Sequence, residues 1–200
     1  MSKPVLGIIG GGQLGSMLAT AAKKIGIKTV IFCDDQDAPA QNFSDKFICG
    51  KYDDQNIIDE FINAIDIATY EFENIPYATL NKINNIKSVL PNPSINKIVQ
   101  NRLFEKDYIN KLNIRTTQYV SINNEKEIYI NKDFLPGLLK TKTLGYDGKG
   151  QYKINLVDDL KNLNIDFTKE YILEKLVKLK KEISVIITRF QNKEYEIYDP

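Results

Sequence analysis

A strand, a glycine-rich turn and a helix stand at the start of the chain, and this unit constrains the fold more than any other. Val5–Ile9 is a short apolar run that leads into four glycines within residues 10–15. A helical pattern follows over residues 16–25, and Lys28–Cys33 is a second apolar run. Two strands joined by a helix lie parallel with a right-handed crossover. We therefore predict an α/β fold that begins with a parallel sheet.

The glycine turn itself has three interpretations. Gly10, Gly12 and Gly15 satisfy the G-x-G-x-x-G pattern, and acidic residues 34–35 follow about 20 residues later, as at a Rossmann-type NAD(P) site. Glycine also suits any tight turn between a strand and a helix. The helix N-terminus would equally hold another ligand, such as a substrate phosphate or a polar ring. For such a ring, Gln13 offers both a donor and an acceptor.

Composition removes several kinds of chemistry. The chain has no histidine, which excludes a Ser-His-Asp triad, a Cys-His pair and a histidine zinc motif within these residues. Cys33 and Cys49 lie in apolar, strand-like contexts and are predicted to be free thiols, so a structural zinc site is not expected. Any chemistry has to use carboxylates, lysines, backbone amides and a hard cation.

Charge and hydropathy patterns limit the partners. Lys and Arg number 27 against 26 Asp and Glu, so no basic excess points to nucleic acid. No apolar run is long enough to span a bilayer, and residues 1–12 lack the pattern of a signal peptide. We therefore expect a cytoplasmic protein that acts on small molecules.

A rigid Pro-Asn-Pro sequence at residues 91–93 predicts a domain boundary. Residues 1–93 are predicted to form the parallel-sheet domain, and residues 94–200 a second, α+β domain. The second domain is predicted to contain a small lid subdomain over about residues 115–175, with a larger subdomain starting after it. Its predicted elements are one helix over residues 95–112, a hairpin with strands at 135–141 and 151–156, a short helix at 158–163 and a hairpin with strands at 182–190 and 194–198.

A second glycine-rich stretch lies at residues 145–151, between the two strands of the first predicted hairpin. It contains three glycines together with an aspartate, a lysine and a glutamine, and the apolar strand before it ends in Lys140. Glycines in such a loop let backbone N–H groups approach phosphate oxygens, and lysines at both ends supply positive charge. This layout predicts a flap that closes over a nucleotide triphosphate.

Four motifs occur in the order found in one enzyme family. They are the glycine turn at residues 10–15, the Thr-Tyr-Glu-Phe-Glu-Asn-Ile-Pro segment at 69–76, Lys140 with Thr141, and the flap at 145–151. The chain resembles the 5-(carboxyamino)imidazole ribonucleotide synthases, ATP-grasp ligases of purine biosynthesis, over essentially its whole length. The resemblance implies a Rossmann-like pre-ATP-grasp domain followed by the first part of an ATP-grasp domain. It also implies carboxylation of 5-aminoimidazole ribonucleotide with bicarbonate and ATP, through carboxyphosphate.

The same resemblance implies roles for individual residues. Lys140 and Lys149 are the implied catalytic residues, and the implied aminoimidazole ribonucleotide site contains Gly12, Gln13, Leu14 and Glu73. Contacts to ATP are implied for Arg102, Lys140, Gly145, Tyr146, Asp147, Gly148, Lys149, Gly150, Gln151, Glu174, Lys175, Leu176, Val177 and Glu182.

The sequence departs from the family pattern at its C-terminal side. The family's carboxylates and asparagine that hold Mg²⁺ are expected beyond residue 200, so no metal ligand is predicted in this chain. We expect the 200-residue chain alone to lack ligase activity. The alternatives are a non-catalytic fragment that binds ribonucleotide or ATP and, less favoured, an NAD(P)-dependent oxidoreductase. The resemblance also suggests a homodimer, with no nucleic-acid or membrane partner.

Overall fold

The computed structural model describes residues 3–145, 149–190 and 192–200. Its described part contains a parallel four-stranded sheet, an antiparallel four-stranded sheet and a separate two-stranded hairpin. The predicted order, a parallel α/β unit followed by an α+β unit, is confirmed. Within the described residues, no helix combines the length and the hydropathy that crossing a bilayer requires.

The first sheet is parallel throughout, with strand order β3-β2-β1-β4. Helices pack against it around a core that includes Ile9, Phe32 and Phe61, all fully buried. Asp54 begins the second helix by accepting hydrogen bonds from two backbone N–H groups of its first turn. The elements are β1 Val5–Ile9, α1 Gln13–Lys24, β2 Lys28–Cys33, a 3₁₀ turn Pro39–Phe43, β3 Lys46–Cys49, α2 Gln55–Ala64, β4 Ile67–Tyr70 and α3 Tyr77–Asn84.

Two helices, α4 Pro93–Val99 and α5 Arg102–Lys111, connect the sheets. The prediction of one helix over residues 95–112 is therefore wrong. Asn101 has an extended backbone, and its side chain accepts hydrogen bonds from the N–H groups of Leu103 and Phe104. Asparagine in this position starts a new helix, so the helical pattern hides a break that turns the chain.

The second sheet is antiparallel, with strand order β5-β8-β6-β7. One of its faces packs into an apolar core that includes Ile122, Leu139 and Leu173. The alternation of side chains places Lys140 and Glu174 on the opposite face, beside α5. The elements are β5 Tyr119–Ile122, α6 Glu125–Ile130, a 3₁₀ turn Lys132–Phe134, β6 Gly137–Thr141, β7 Gln151–Ile154, a 3₁₀ turn Val157–Asn162 and β8 Tyr171–Lys175.

The last predicted hairpin is confirmed, but its strands are shorter than predicted. β9 Ile187–Arg189 pairs antiparallel with β10 Tyr195–Ile197, and every residue of both strands is exposed. Residues 176–186 have no regular secondary structure. The helix predicted over residues 158–163 is instead the 3₁₀ turn Val157–Asn162.

Candidate functional site

The first glycine turn is filled by a side chain of this protein. Glu71 follows β4, and its backbone N–H donates to the carbonyl of Ile9 at 3.1 Å. Its carboxylate Oε1 accepts a hydrogen bond from the Gly12 N–H at 2.9 Å. A Cβ added to Gly10 would stand 2.5 Å from the Glu71 Cγ, and the φ of Gly10 is +107°. The carboxylate therefore holds the turn in place and occupies the space above it.

This arrangement bears on the three interpretations of the turn. A dinucleotide pyrophosphate binds at the backbone N–H groups of a helix N-terminus. Here the Gly12 N–H already has a negatively charged acceptor, which also repels a second anion. Gln13 and Leu14 are exposed in the first turn of α1, next to half-buried Gly12. The predicted ribonucleotide-binding residues are thus accessible beside a turn whose centre is filled.

The segment after β4 is fastened to α4. The side-chain amide of Gln100 donates to the carbonyls of Glu73 and Ile75 at 2.5 and 2.6 Å. Asn96, one helical turn earlier, donates to the same Ile75 carbonyl at 3.1 Å. The Glu73 side chain is exposed, whereas Glu71 is half-buried. Strand β4 ends at Tyr70, before both acids, so strand alternation does not fix the directions of their side chains.

Both ends of the second glycine loop are also held. Arg102 donates from Nη2 to the Gly145 carbonyl at 2.9 Å, and its backbone N–H donates to the Lys142 carbonyl at 2.9 Å. On the other side, the Thr141 N–H donates to the Gly150 carbonyl at 2.9 Å. Lys149 and Gln151 are exposed. The predicted nucleotide contacts Tyr146, Asp147 and Gly148 lie outside the described residues.

Lys140 and Glu174 meet on the polar face of the second sheet. Lys140 Nζ lies 2.8 Å from Glu174 Oε2, and Lys106 Nζ lies 3.1 Å from Glu174 Oε1. The glutamate is 6% exposed. Burial of the carboxyl raises its pKa, but the hydrogen bonds and charges of the two lysines outweigh burial and hold the pKa below its ordinary value. Two cations and one buried anion therefore give this face a net positive charge.

Sequence reasoning missed Lys106 as a member of this cluster. Lys106 comes four residues after Arg102 on α5, and residues at this spacing share one face of a helix. The ring of Tyr119 lies under its ammonium group, 5.6 Å away. The i, i+4 spacing of the two cations was an available signal, but it does not show which residue lies opposite Lys106.

The predicted adenine hinge continues from β8. The Lys175 N–H donates to the Gln118 carbonyl at 2.9 Å, and its own carbonyl accepts from Thr117. The Leu176 N–H donates to the Pro136 carbonyl at 2.9 Å. Backbone groups of both hinge residues are thus engaged within the protein. Val177 and Glu182 are exposed, and among the described residues no hydrogen bond or ion pair joins Glu182 to Lys106 or Lys140.

Two cavities lie at the base of the flap. A polar cavity of about 70 Å³ lies where the segment after β4 meets the flap, with Glu73, Gln100, Arg102 and Gly145 in its wall. A cavity of about 320 Å³ lies on the flap's other side, lined by Thr141, Thr143, Leu144, Lys149, Gly150, Lys169 and Glu170. The predicted ribonucleotide site and the predicted ATP site are therefore neighbours, because residues of both line the polar cavity.

A Mg²⁺ ion does not fit the residues that are described. In residues 3–145, 149–190 and 192–200, no three Asp, Glu, Cys or His side chains cluster in a way that could hold a metal ion. Glu174, the buried carboxylate nearest Lys140, has one oxygen on each of two lysines. Oxygen ligands for a hard cation would have to be freed from these ammonium groups.

Two family models match consecutive parts of the chain. Residues 2–100 match the ribonucleotide synthetase pre-ATP-grasp domain, and residues 107–200 match the ATP-grasp domain. The junction between them falls at the start of α5.

Named relatives agree with these models. An N5-carboxyaminoimidazole ribonucleotide synthase of Brucella melitensis is 36% identical over 97% of this chain and 55% of its own length. The structure of N5-carboxyaminoimidazole synthetase from Staphylococcus aureus complexed with ADP has a TM-score of 0.92 at 33% identity, over 98% of this chain and 53% of that one. The Aspergillus clavatus carboxyaminoimidazole ribonucleotide synthase complexed with ATP has a TM-score of 0.88 at 25% identity, over 98% and 53%. The chain thus spans about half the length of these relatives.

Proposed function

The chain belongs to the N5-carboxyaminoimidazole ribonucleotide synthase family of ATP-grasp proteins, and we propose that it supplies the nucleotide lid and the ribonucleotide-binding domain of such a ligase. The proposed reaction is ATP-dependent carboxylation of the amine of 5-aminoimidazole ribonucleotide by bicarbonate. The observation that carries this proposal is the placement of Lys140 and Glu174 beside a flap whose base is held by Arg102.

The chemistry suits the side chains available. Bicarbonate is a poor electrophile because its carbon carries a delocalised anion. Phosphorylation by ATP forms carboxyphosphate, in which phosphate is a leaving group. Phosphoryl transfer depends on positioning and neutralisation of charge more than on covalent help from the protein. We assign these tasks to Lys140, to Lys149 and to the backbone N–H groups of the flap, as donors to phosphate oxygens.

The ribonucleotide is proposed to bind beside the first glycine turn. Gln13 and Leu14 are exposed there, and Gln100 holds the backbone of Glu73 at the edge of the polar cavity. The cavity lies between Glu73 and the base of the flap. An amine held on one side and a phosphorylated bicarbonate held on the other would meet without crossing bulk solvent, which protects a labile intermediate.

Two competing functions make different predictions. An NAD(P)-dependent oxidoreductase would use the first glycine turn for pyrophosphate, but Glu71 occupies the space and the Gly12 N–H. A non-catalytic binding protein would share the nucleotide site and differ only in turnover. Bicarbonate as carbon donor, a Mg²⁺ requirement, a homodimer and a cytoplasmic location are part of the proposal and come from the family.

Titration calorimetry with ADP and with NADH tests the proposed nucleotide class. We expect ADP to bind, and NADH to show no binding at concentrations that saturate ADP. Lys140→Met is expected to weaken ADP binding. The control variant is Lys132→Met, which replaces an exposed lysine outside the site. Tight NADH binding without ADP binding would overturn the assignment.

Turnover separates a ligase from a binding protein. Phosphate release from ATP, stimulated by 5-aminoimidazole ribonucleotide and bicarbonate, is the assay for the reaction in a protein that contains this chain. We expect the 200-residue chain alone to bind ADP without releasing phosphate. Glu73→Gln should weaken binding of the ribonucleotide and leave ADP affinity within about twofold. An ADP-binding protein that never responds to the ribonucleotide would favour the non-catalytic alternative.

A further inference from the structure

Helix α5 presents two cations to the nucleotide side of the second sheet. Arg102 in its first turn holds the flap through the Gly145 carbonyl, and Lys106 one turn later holds Glu174. Both side chains leave the same face of the helix. The resemblance implied a role for Arg102 in the ATP site, whereas it implied none for Lys106.

The Lys106 side chain is largely buried, unlike that of a surface lysine. Its side chain is 16% exposed, and its ammonium group lies over the Tyr119 ring. The Tyr119 hydroxyl donates to Asp107 Oδ1 at 2.6 Å and accepts from Asn110 at 3.0 Å. Three residues of α5 thus fix the helix to β5, and with it the position of Lys106.

The carboxylate of Glu174 is divided between two lysines. Oε1 faces Lys106 and Oε2 faces Lys140, so each ammonium group has one oxygen. A buried carboxylate with a single cation would direct both oxygens and its whole charge to that cation. Phosphate oxygens would then compete with a complete counter-charge for Lys140. With Lys106 in place, one oxygen of Glu174 already has a cationic partner, and only the other oxygen faces Lys140.

We propose that Lys106 is a positioning residue of the nucleotide site: by taking one oxygen of Glu174, it keeps Lys140 available to the phosphates of the bound nucleotide. Lys106 acts through Glu174 and need not touch the nucleotide. The inference rests on the proposed function, because it requires Lys140 to contact phosphate. It goes beyond the family resemblance, which assigns no role to Lys106.

A double-mutant cycle on ADP affinity tests the inference, with the chain itself titrated by calorimetry. Lys106→Met should weaken ADP binding by about tenfold, the loss expected for one impaired charge-assisted hydrogen bond. Lys106→Arg should restore affinity to within about threefold, since arginine offers the same charge to Oε1. In a Lys140→Met background, Lys106→Met should change ADP affinity by less than about twofold, because the residue through which it acts is missing.

Two further measurements separate this role from a structural one. Adenosine has no phosphate, so its affinity should be the same in the Lys106→Met variant and the unsubstituted chain, whereas a loosened fold would weaken both ligands. Lys111→Met, an exposed lysine in the last turn of α5, is the matched control and should bind ADP normally.

The outcomes are distinguishable. Additive losses in the double variant, or normal ADP binding by Lys106→Met, would overturn the role of Lys106 and leave the proposed function standing. Equal weakening of adenosine and ADP would also overturn it, in favour of a purely structural lysine. If the unsubstituted chain binds no ADP, both the proposed function and the inference fail.

Discussion

Residues 10–15 and 145–151 are both glycine-rich turns that follow a strand, but the protein holds them differently. The first is closed by Glu71, whose carboxylate accepts from the Gly12 N–H and touches the place where a Gly10 side chain would be. The second is anchored at its ends by Arg102 and Thr141. The first turn is thus filled by a side chain of the protein itself, whereas the described hydrogen bonds of the second lie at its two ends.

Neighbouring atoms show the same contrast. A Cβ on Gly15 would lie 2.8 Å from the Gly10 carbonyl oxygen, which is backbone and cannot move aside. A Cβ on Gly145 would meet the ends of two side chains, Thr141 Oγ1 at 3.0 Å and Arg102 Nη2 at 3.1 Å, and then the Lys149 carbonyl oxygen at 3.3 Å. The tightest contact is therefore with backbone at Gly15 and with side chains at Gly145.

The largest expected effect breaks the first turn. Gly10→Ala should lower the free energy of unfolding by about 3 kcal/mol, because it combines a left-handed φ with a collision against Glu71. Gly145→Ala, the matched change in the flap, should cost less, about 1 kcal/mol, because its φ is not left-handed and its neighbours at 3.0–3.3 Å need to shift only slightly. Urea denaturation followed by circular dichroism measures both. Equal losses would contradict the distinction between the two turns.

The next largest expected effect is a loss of ADP affinity when a lysine beside the flap is replaced. Lys140→Met should weaken ADP binding by about 10- to 100-fold, the range for a lost hydrogen bond between charged groups. Titration calorimetry measures the change, and Lys132→Met is the control, since that lysine is exposed in a 3₁₀ turn away from the site. Glu71→Gln should leave ADP affinity within about twofold. A similar loss of ADP affinity in that variant would mean that the nucleotide uses the first turn.

A smaller effect concerns the carboxylate that fills the first turn. Glu71→Gln keeps the shape of the side chain but removes the charge that faces the N-terminus of α1, so we expect unfolding to become easier by about 1 kcal/mol. Glu73→Gln, two residues later and exposed, is the control and should change the unfolding free energy by less than about 0.3 kcal/mol. If the two variants are equally stable, Glu71 does not hold the turn.

Local patterns predicted the elements well but not the contacts between them. The glycine motifs, the strands and both hairpins could be predicted because strand alternation and turn residues are local signals. The break at Asn101 was missed because apolar residues continue the helical pattern on both sides of it. Arg102 and Lys106 share one helix face whether or not the helix breaks at Asn101, but no local signal shows that Lys106 on this face contacts Glu174. The hydrogen bond between Glu71 and the Gly12 N–H was not predicted, because it joins residues far apart in the sequence and no local pattern reports it.

The smallest expected effect is a pH dependence of stability on the flap side. Burial raises the pKa of Glu174, and Lys140 and Lys106 lower it. The pKa of this carboxyl is lowered in the folded protein, so its contribution to stability is fully present above its unfolded pKa. That contribution is lost as the pH falls through the folded value. We therefore expect the difference in unfolding free energy between the unsubstituted chain and Glu174→Gln to be constant near neutral pH and to shrink in acid. Urea denaturation from pH 7 down to pH 3 measures it, with Glu71→Gln titrated in parallel. A difference that grows in acid would show that the lysines do not stabilise the ionised carboxylate.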